Sequence, residues 1–127
     1  MTGLDVPGDP LQQLLQEYPD EPIVVVNLVR LKPGGLTAHE QYLEQAGAIM
    51  RRYGAEPTYL GPGLGTLIGD ESWDKAAITT YPSVRALAAF INDPQFEALA
   101  PLRHQALDAG IVHVFRDRDR ATSPPRP

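Results

Sequence analysis

Along the chain the spacing of apolar residues changes from helical to strand-like and back. Leu11, Leu14 and Leu15 recur at a helical interval behind Asp9-Pro10, a capping residue followed by proline at the first helical position, and predict a short helix over residues 10–18. Pro19 and Pro22 end it. Ile23 to Leu31, reading IVVVNLVRL, is nearly all aliphatic or β-branched, the pattern of a central strand covered on both faces. Lys32-Pro33-Gly34-Gly35 turns the chain. Thr37, with Glu40 three positions later, predicts a capping box for a helix running to about Tyr53. Its inward stripe is Tyr42, Leu43, Ala46, Ile49, Met50 and Tyr53, and Gly54 closes it as a left-handed cap.

Glu56 to Ile68 reads as a strand interrupted at Gly61-Pro62-Gly63, Asp70-Glu71-Ser72 as a turn, and Lys75 to Tyr81 as the next strand. Pro82-Ser83 starts a helix over Val84, Leu87, Ala88 and Ile91. Asn92-Asp93-Pro94 divides it from a second helical piece, Gln95 to Ala109, ended by Gly110, and Ile111 to Phe115 is a last short strand. From Arg116 onward RDRDRATSPPRP alternates charge and turns to proline, which predicts a disordered tail. The domain therefore spans residues 22–116, between a lead with its short helix (1–21) and the tail (117–127). Its order is strand, helix, strand, strand, helix, strand. That is the split βαβ arrangement, an α+β, ferredoxin-like fold with a four-stranded antiparallel sheet and helices on one face. The other sheet face is left bare, and a bare apolar face on a small domain favours association. Two such sheets face to face make a homodimeric α/β barrel.

Composition narrows the classes. With 127 residues and 43% hydrophobic content the chain fits one domain with one ordinary core. A net charge of -5 and no Lys/Arg cluster inside the body remove the footprint that nucleic-acid binders need, so no nucleic-acid partner is expected. The absence of cysteine excludes disulfides, thiolate zinc sites and a Cys nucleophile. MTGLDVPGDP has no basic region followed by an apolar run, and no apolar stretch approaches the length of about 18 residues that suggests a membrane helix. A cytoplasmic protein without a membrane partner is the expectation.

Gly61-Pro62-Gly63-Leu64-Gly65 raises the possibility of a phosphate cradle, but such loops open directly into a helix. Here Thr66-Leu67-Ile68-Gly69 follows, with no Lys-Ser or Lys-Thr pair. The segment reads as a bent or bulged strand, serving either barrel closure alone or a kink that opens one end of the sheet beside Tyr59.

Several strings resemble a known family. Arg52-Tyr53-Gly54-Ala55 before a strand, Thr80-Tyr81-Pro82-Ser83 between strand and helix, Asn92-Asp93-Pro94-Gln95-Phe96 with Arg103 seven residues further, and Val112-His113-Val114-Phe115 resemble the DUF1330 family of the dimeric α/β barrel superfamily, over roughly residues 22–116. The resemblance implies a ferredoxin-like fold, a homodimer and a small-molecule cavity between sheet and helices; it implies no reaction. The leading helix lies outside the shared region, and Gly61 to Gly65 is richer in glycine than the family's usual second strand. Relatives in the superfamily that oxidise polycyclic phenols or break down haem carry an Asn on the first strand and a Trp in the cavity. Asn27 and Trp73 match in residue type, although Trp73 lies at a turn beside Asp74, where edge packing is the plainer role. A haem-degrading relative would need an axial His on the helix after the third strand, and residues 84–91 contain none, so no cofactor is expected.

Asn27, the one polar residue in the apolar core of its strand, either bonds a neighbour or faces a cavity. His39, in a first helical turn beside Glu40, is expected to face solvent. His104 follows Arg103, and adjacent helical positions diverge by about 100°, so one cation points inward and the other outward. His113 shares a strand face with Ile111 and Phe115; it is either a satisfied core or interface residue or a general base. The spacing of the histidines suits no metal, and none is expected. Arg30 and Arg103 are anion anchors, or else structural ion-pair partners, Arg103 with Asp93 or Glu97. Tyr53 reads as packing, and Tyr59 and Tyr81 as a pocket rim. The expected function is a cofactor-independent enzyme acting on a small apolar, aromatic or polyketide-like organic ligand. Asn27, Arg103, His104 and His113 would be catalytic, and Arg30, Tyr59, Trp73 and Tyr81 would bind substrate. The alternative is a non-catalytic binder or accessory protein whose polar residues satisfy one another.

Overall fold

The computed structural model describes Asp5 and residues 7–118; residues 1–4 and 6 of the expected lead and residues 119–127 of the expected tail lie outside the described residues. The elements run α1 (Gly8–Glu17), β1 (Ile23–Leu31), α2 (Leu36–Arg51), β2 (Glu56–Pro62), β3 (Lys75–Tyr81), α3 (Val84–Ile91), α4 (Pro94–Glu97), α5 (Ala100–Ala106) and β4 (Leu107–Arg116). The strands form one antiparallel sheet in the order β2-β3-β1-β4. β1 and β2 thus run parallel on either side of β3, which is the split βαβ topology of the α+β, ferredoxin-like fold.

Residues directly opposite each other in an antiparallel pair share a face, so the register sorts the side chains. Ile23, Val25 and Val29 are buried under the helices, while Val24, Val26, Leu28 and Arg30 alternate onto the other face and are half-buried. β1 is interior in the sheet but covered by helices on one face only, not on both as its composition suggested. The core beneath the helices has two parts. Ile23 and Val25 pack with Ala46, Ile49, Tyr81, Val84, Leu87, Phe90 and Phe96, and Leu14 and Leu15 of α1 lie against this cluster. Val29 packs separately with Ala38, Ala106 and Leu107. Asn27 falls between the two clusters and belongs to neither.

Several boundaries differ from expectation. α1 begins at Gly8 behind Pro7, with no side-chain cap, so Asp9-Pro10 lie within its first turn. The capping box does not form, because Thr37 is already helical and Gly35 occupies the cap position. The start of α2 is set by packing. Lys32 N donates to the Ala106 carbonyl at 2.9 Å, which brings the turn onto the end of α5. The expected caps later in the chain are present: Gly54 has φ +83°, and the Ser83 hydroxyl accepts from Ala86 N at 3.1 Å.

The expected helix from Gln95 to Ala109 divides into α4 and α5, with Pro101 in the first turn of α5, and Leu107 to Gly110 join β4. Pairing decides this, since β4 follows β1 along its full length to Leu31↔Leu107. A ladder that runs to the end of β1, with one bulge between Arg30 and Leu31, outweighs the modest helical preference of Leu-Asp-Ala. At the other end, Arg116 Nε lies 3.2 Å from Glu21 and Asp117 N donates to the Pro22 carbonyl at 2.9 Å, so the expected tail is tied down at its first two residues.

β2 stops at Pro62, short of the expected Ile68, and the irregularity in its pairing with β3 lies between Pro57 and Tyr59, not at Gly61-Pro62-Gly63. Gly63 N donates to the Asp74 carbonyl at 2.8 Å where the long loop closes. A Cβ at Gly63 would collide with the Trp73 carbonyl oxygen, so the glycine permits close backbone approach. Leu64, Leu67 and Ile68 on this loop are fully exposed. Among the described residues no helix is long and apolar enough to cross a membrane.

Candidate functional site

α2 and α5 bring Tyr42 and Arg103 together, and α4 adds Phe96. The Arg103 guanidinium carbon lies 5.8 Å from the centre of the Tyr42 ring and 5.4 Å from that of Phe96. A weakly hydrated planar cation tolerates this apolar enclosure better than an ammonium would. The Arg103 side chain is only 13% exposed. Its Nη2 lies 2.8 Å from Asp5 Oδ1 and its Nη1 3.4 Å from the Tyr42 hydroxyl, while its buried Nε has no hydrogen-bond partner among the described residues. His104 Nε2 lies 2.8 Å from the same Asp5 oxygen. The two neighbouring side chains therefore converge on one carboxylate instead of diverging inward and outward.

Asp5, which the sequence did not single out, replaces the expected Asp93 or Glu97 as partner of Arg103. Asp93 accepts from the Tyr53 hydroxyl and caps α4 through Gln95 N at 2.7 Å, so Tyr53 bonds as well as packs. Hydrogen bonds from Arg103 and then His104 hold the Asp5 carboxyl below its ordinary range. Burial works against the charge on Arg103, but the bonds to Asp5 and Tyr42 outweigh it and raise its pKa. Burial also raises the Tyr42 phenol.

His39 is 3% exposed, the opposite of the solvent-facing position expected. Its ring stacks on Tyr42 with centroids 6.4 Å apart, and its Nδ1 is buried without a partner among the described residues. Burial, with Lys75 adding like charge, lowers its pKa to about 4, so the ring is neutral at pH 7. Sequence position alone suggested exposure because the first turn of an amphipathic helix is often polar. The signal available was spacing, since His39, Tyr42 and Ala46 share one helical face.

Asn27 points to the helical side between the two core clusters, opposite Ala77 on β3 and Val112 on β4. It is half-buried, and its amide has no hydrogen-bond partner among the described residues. Leu60, paired with Ala77, and Val112 are exposed on the same face, so this row of the sheet is thinly covered. Tyr81 is 3% exposed and packs with Phe90, 6.2 Å between ring centres, so it is core and not a pocket rim. Burial drives its phenol pKa upward.

The remaining expected site residues lie on the open sheet face. Arg30 donates to the Ser72 carbonyl from Nε at 3.2 Å and Nη2 at 3.0 Å and stacks on Trp73 at 4.8 Å, clamping the loop between β2 and β3. Tyr59 pairs with Ile78, and His113 pairs with Val26 and stacks on Phe115 at 4.7 Å. The register thus separates His113, Arg30, Tyr59 and Trp73 from Asn27, Arg103 and His104. An open groove of about 330 Å³ between α1 and β4 is lined by Leu14, Val112, His113 and Val114, and the polar groups at its rim, Gln13 and Glu17, bond each other at 3.0 Å.

A family model described as a domain of unknown function, DUF1330, matches residues 28–116. The chain belongs to the DUF1330 family. Among curated proteins none matches it. A protein of unknown function from Rhodopseudomonas palustris has a similar structure, with 28% identity, a TM-score of 0.80 and 98% of each chain covered. A dimeric protein of unknown function with a ferredoxin-like fold from Bacteroides fragilis aligns at 12% identity and TM-score 0.55, covering 78% of this chain and 99% of that one. A candidate antibiotic biosynthesis monooxygenase from Caulobacter crescentus aligns at 15% identity and TM-score 0.57, covering 82% of this chain and 96% of that one. The DUF1330 match takes in Tyr42, Phe96, Arg103 and His104, whereas Asp5 and α1 precede it.

Proposed function

We propose that this DUF1330 protein is a homodimeric, cofactor-independent enzyme acting on a small apolar, aromatic or polyketide-like compound that carries an acidic oxygen. The observation that carries this reading is the buried Arg103 guanidinium, packed against two aromatic rings with its Nε without a partner among the described residues. A charge is placed in so apolar a setting at a cost, which is offset when it stabilises an anion formed there. Arg103 would neutralise a substrate oxyanion, and the Asn27 amide would orient the substrate from the sheet. His104, on the same carboxylate as Arg103, would be the proton-transfer group. The fold shared with the Caulobacter crescentus protein is compatible with such chemistry and does not by itself specify it.

The reading is tested by incubating the protein with phenols, aromatic acids and polyketide fragments, with oxygen present, from pH 5 to 9, while following product formation. Conversion of a compound that also raises the melting temperature supports an enzyme. Stabilising hits that are never converted make the protein a binder.

The homodimer rests on the open sheet face. Tyr59, Ile111 and Phe115 are exposed there beside half-buried Val24, Val26, Leu28 and Ile78. Apolar area left in water forgoes about 25 cal/mol per Å². Sedimentation equilibrium at micromolar concentration is expected to give twice the chain mass, and Val26→Lys, at the centre of that face, to give the monomer. A monomeric parent protein removes the barrel.

A further inference from the structure

Resting on the assignment of Arg103 as the anion anchor, we propose that Asp5 is a built-in stand-in for the ligand's carboxylate. The site accordingly takes small organic carboxylates, and the segment ahead of α1 competes with them for the same seat. Asp5 reaches the seat with one oxygen, Oδ1, which lies 2.8 Å from both Arg103 Nη2 and His104 Nε2. Its other oxygen has no hydrogen-bond partner among the described residues. Arg103 Nε, which with Nη2 makes the side-on fork that grips a carboxylate through two parallel bonds, is buried and unmet. The seat is built for a two-oxygen grip, and Asp5 makes only half of it.

Three further observations fit displacement. The Asp5 side chain is 42% exposed, so its departure opens no cavity in the core. The rings of Tyr42 and Phe96, 6.4 Å apart, both lie against the guanidinium and offer apolar contact to the body of an incoming acid. The seat lies within the matched domain and its occupant outside it, so the domain supplies the binding groups and the leading segment supplies the competitor. No covalent step is involved: one carboxylate exchanges for another on the same Arg103 and His104 side chains.

The test compares the full-length protein with Asp5→Asn and Asp5→Ala, using isothermal titration with sodium benzoate as the probe and benzamide as its neutral counterpart. Self-occupancy of about nine-tenths weakens apparent affinity by about tenfold. Both variants are therefore expected to bind benzoate about tenfold more tightly than the parent, with benzamide unchanged. Arg103→Met in the Asp5→Asn background should abolish the gain. Folded Asp5 variants that bind benzoate no better than the parent, an equal gain for benzamide, or a gain that survives Arg103→Met would each overturn the proposal. Tighter benzoate binding by the variants, with no compound ever turned over, upholds the proposal and removes only the catalytic reading.

Discussion

Arg103→Met is expected to lower turnover of a converted substrate by about a hundredfold or more while leaving the protein folded. Donors placed where negative charge develops contribute on this scale because they need not reorganise as the reaction proceeds. The fold should tolerate the change for structural reasons. Methionine retains much of the aliphatic stem against Tyr42 and Phe96, and it removes a buried Nε that lacks a partner among the described residues. The carboxylate left behind, on Asp5, is partly exposed and can return to water. Asn27→Ala is expected to act in the same direction, since the amide has no protein bond to lose and packs in neither core cluster. Steady-state kinetics on a screened substrate, with circular dichroism and sedimentation as controls, measures both. Unchanged kcat in a folded Arg103→Met protein would refute the role given to the guanidinium.

The second large effect is on stability against pH. His39 is neutral in the folded protein, with its pKa lowered from 6.5 to about 4 by burial and then by Lys75, against a smaller opposing effect of Glu40. Between those two values the unfolded chain binds more protons than the folded one. Stability is therefore complete above about pH 6.5 and falls as pH decreases toward 4. Between pH 7 and pH 5 the loss is on the order of 2 kcal/mol. Urea denaturation at the two pH values measures it, and His39→Leu should abolish most of the difference while keeping an apolar side chain against Tyr42. The carboxyls of Asp5 and Asp93, both held below their ordinary range, add acid sensitivity at lower pH and so do not confuse this window. An equal pH dependence in His39→Leu would show that the ring is not the source.

Much of the fold was legible in local pattern, because local pattern follows from steric preference and from burial of one face. Ile23 to Leu31 and Lys75 to Tyr81 are strands over the residues their composition indicated. The caps at Gly54 and Ser83 form because a left-handed φ favours glycine and a serine hydroxyl can reach a free amide, both short-range requirements. The order of these elements was enough to specify the ferredoxin-like sheet and its bare face. Tertiary structure decided what depends on partners distant in sequence. Leu107 to Gly110 became strand because β1 offered pairing out to Leu31, and α2 began at Leu36 because the preceding turn docks on Ala106. The candidate site divides for the same reason. Side chains alternate along a strand, so the register places Asn27 beneath the helices and His113 on the open face, a sorting that no motif encodes. His39 is buried and Asp5 meets Arg103 only because groups distant in the chain, on α2, on α5 and at Asp5, meet in space. The physical reason is the range of the interactions: caps and strand propensity act over a few residues, whereas burial and charge pairing act between whichever groups the finished fold brings within a few ångströms.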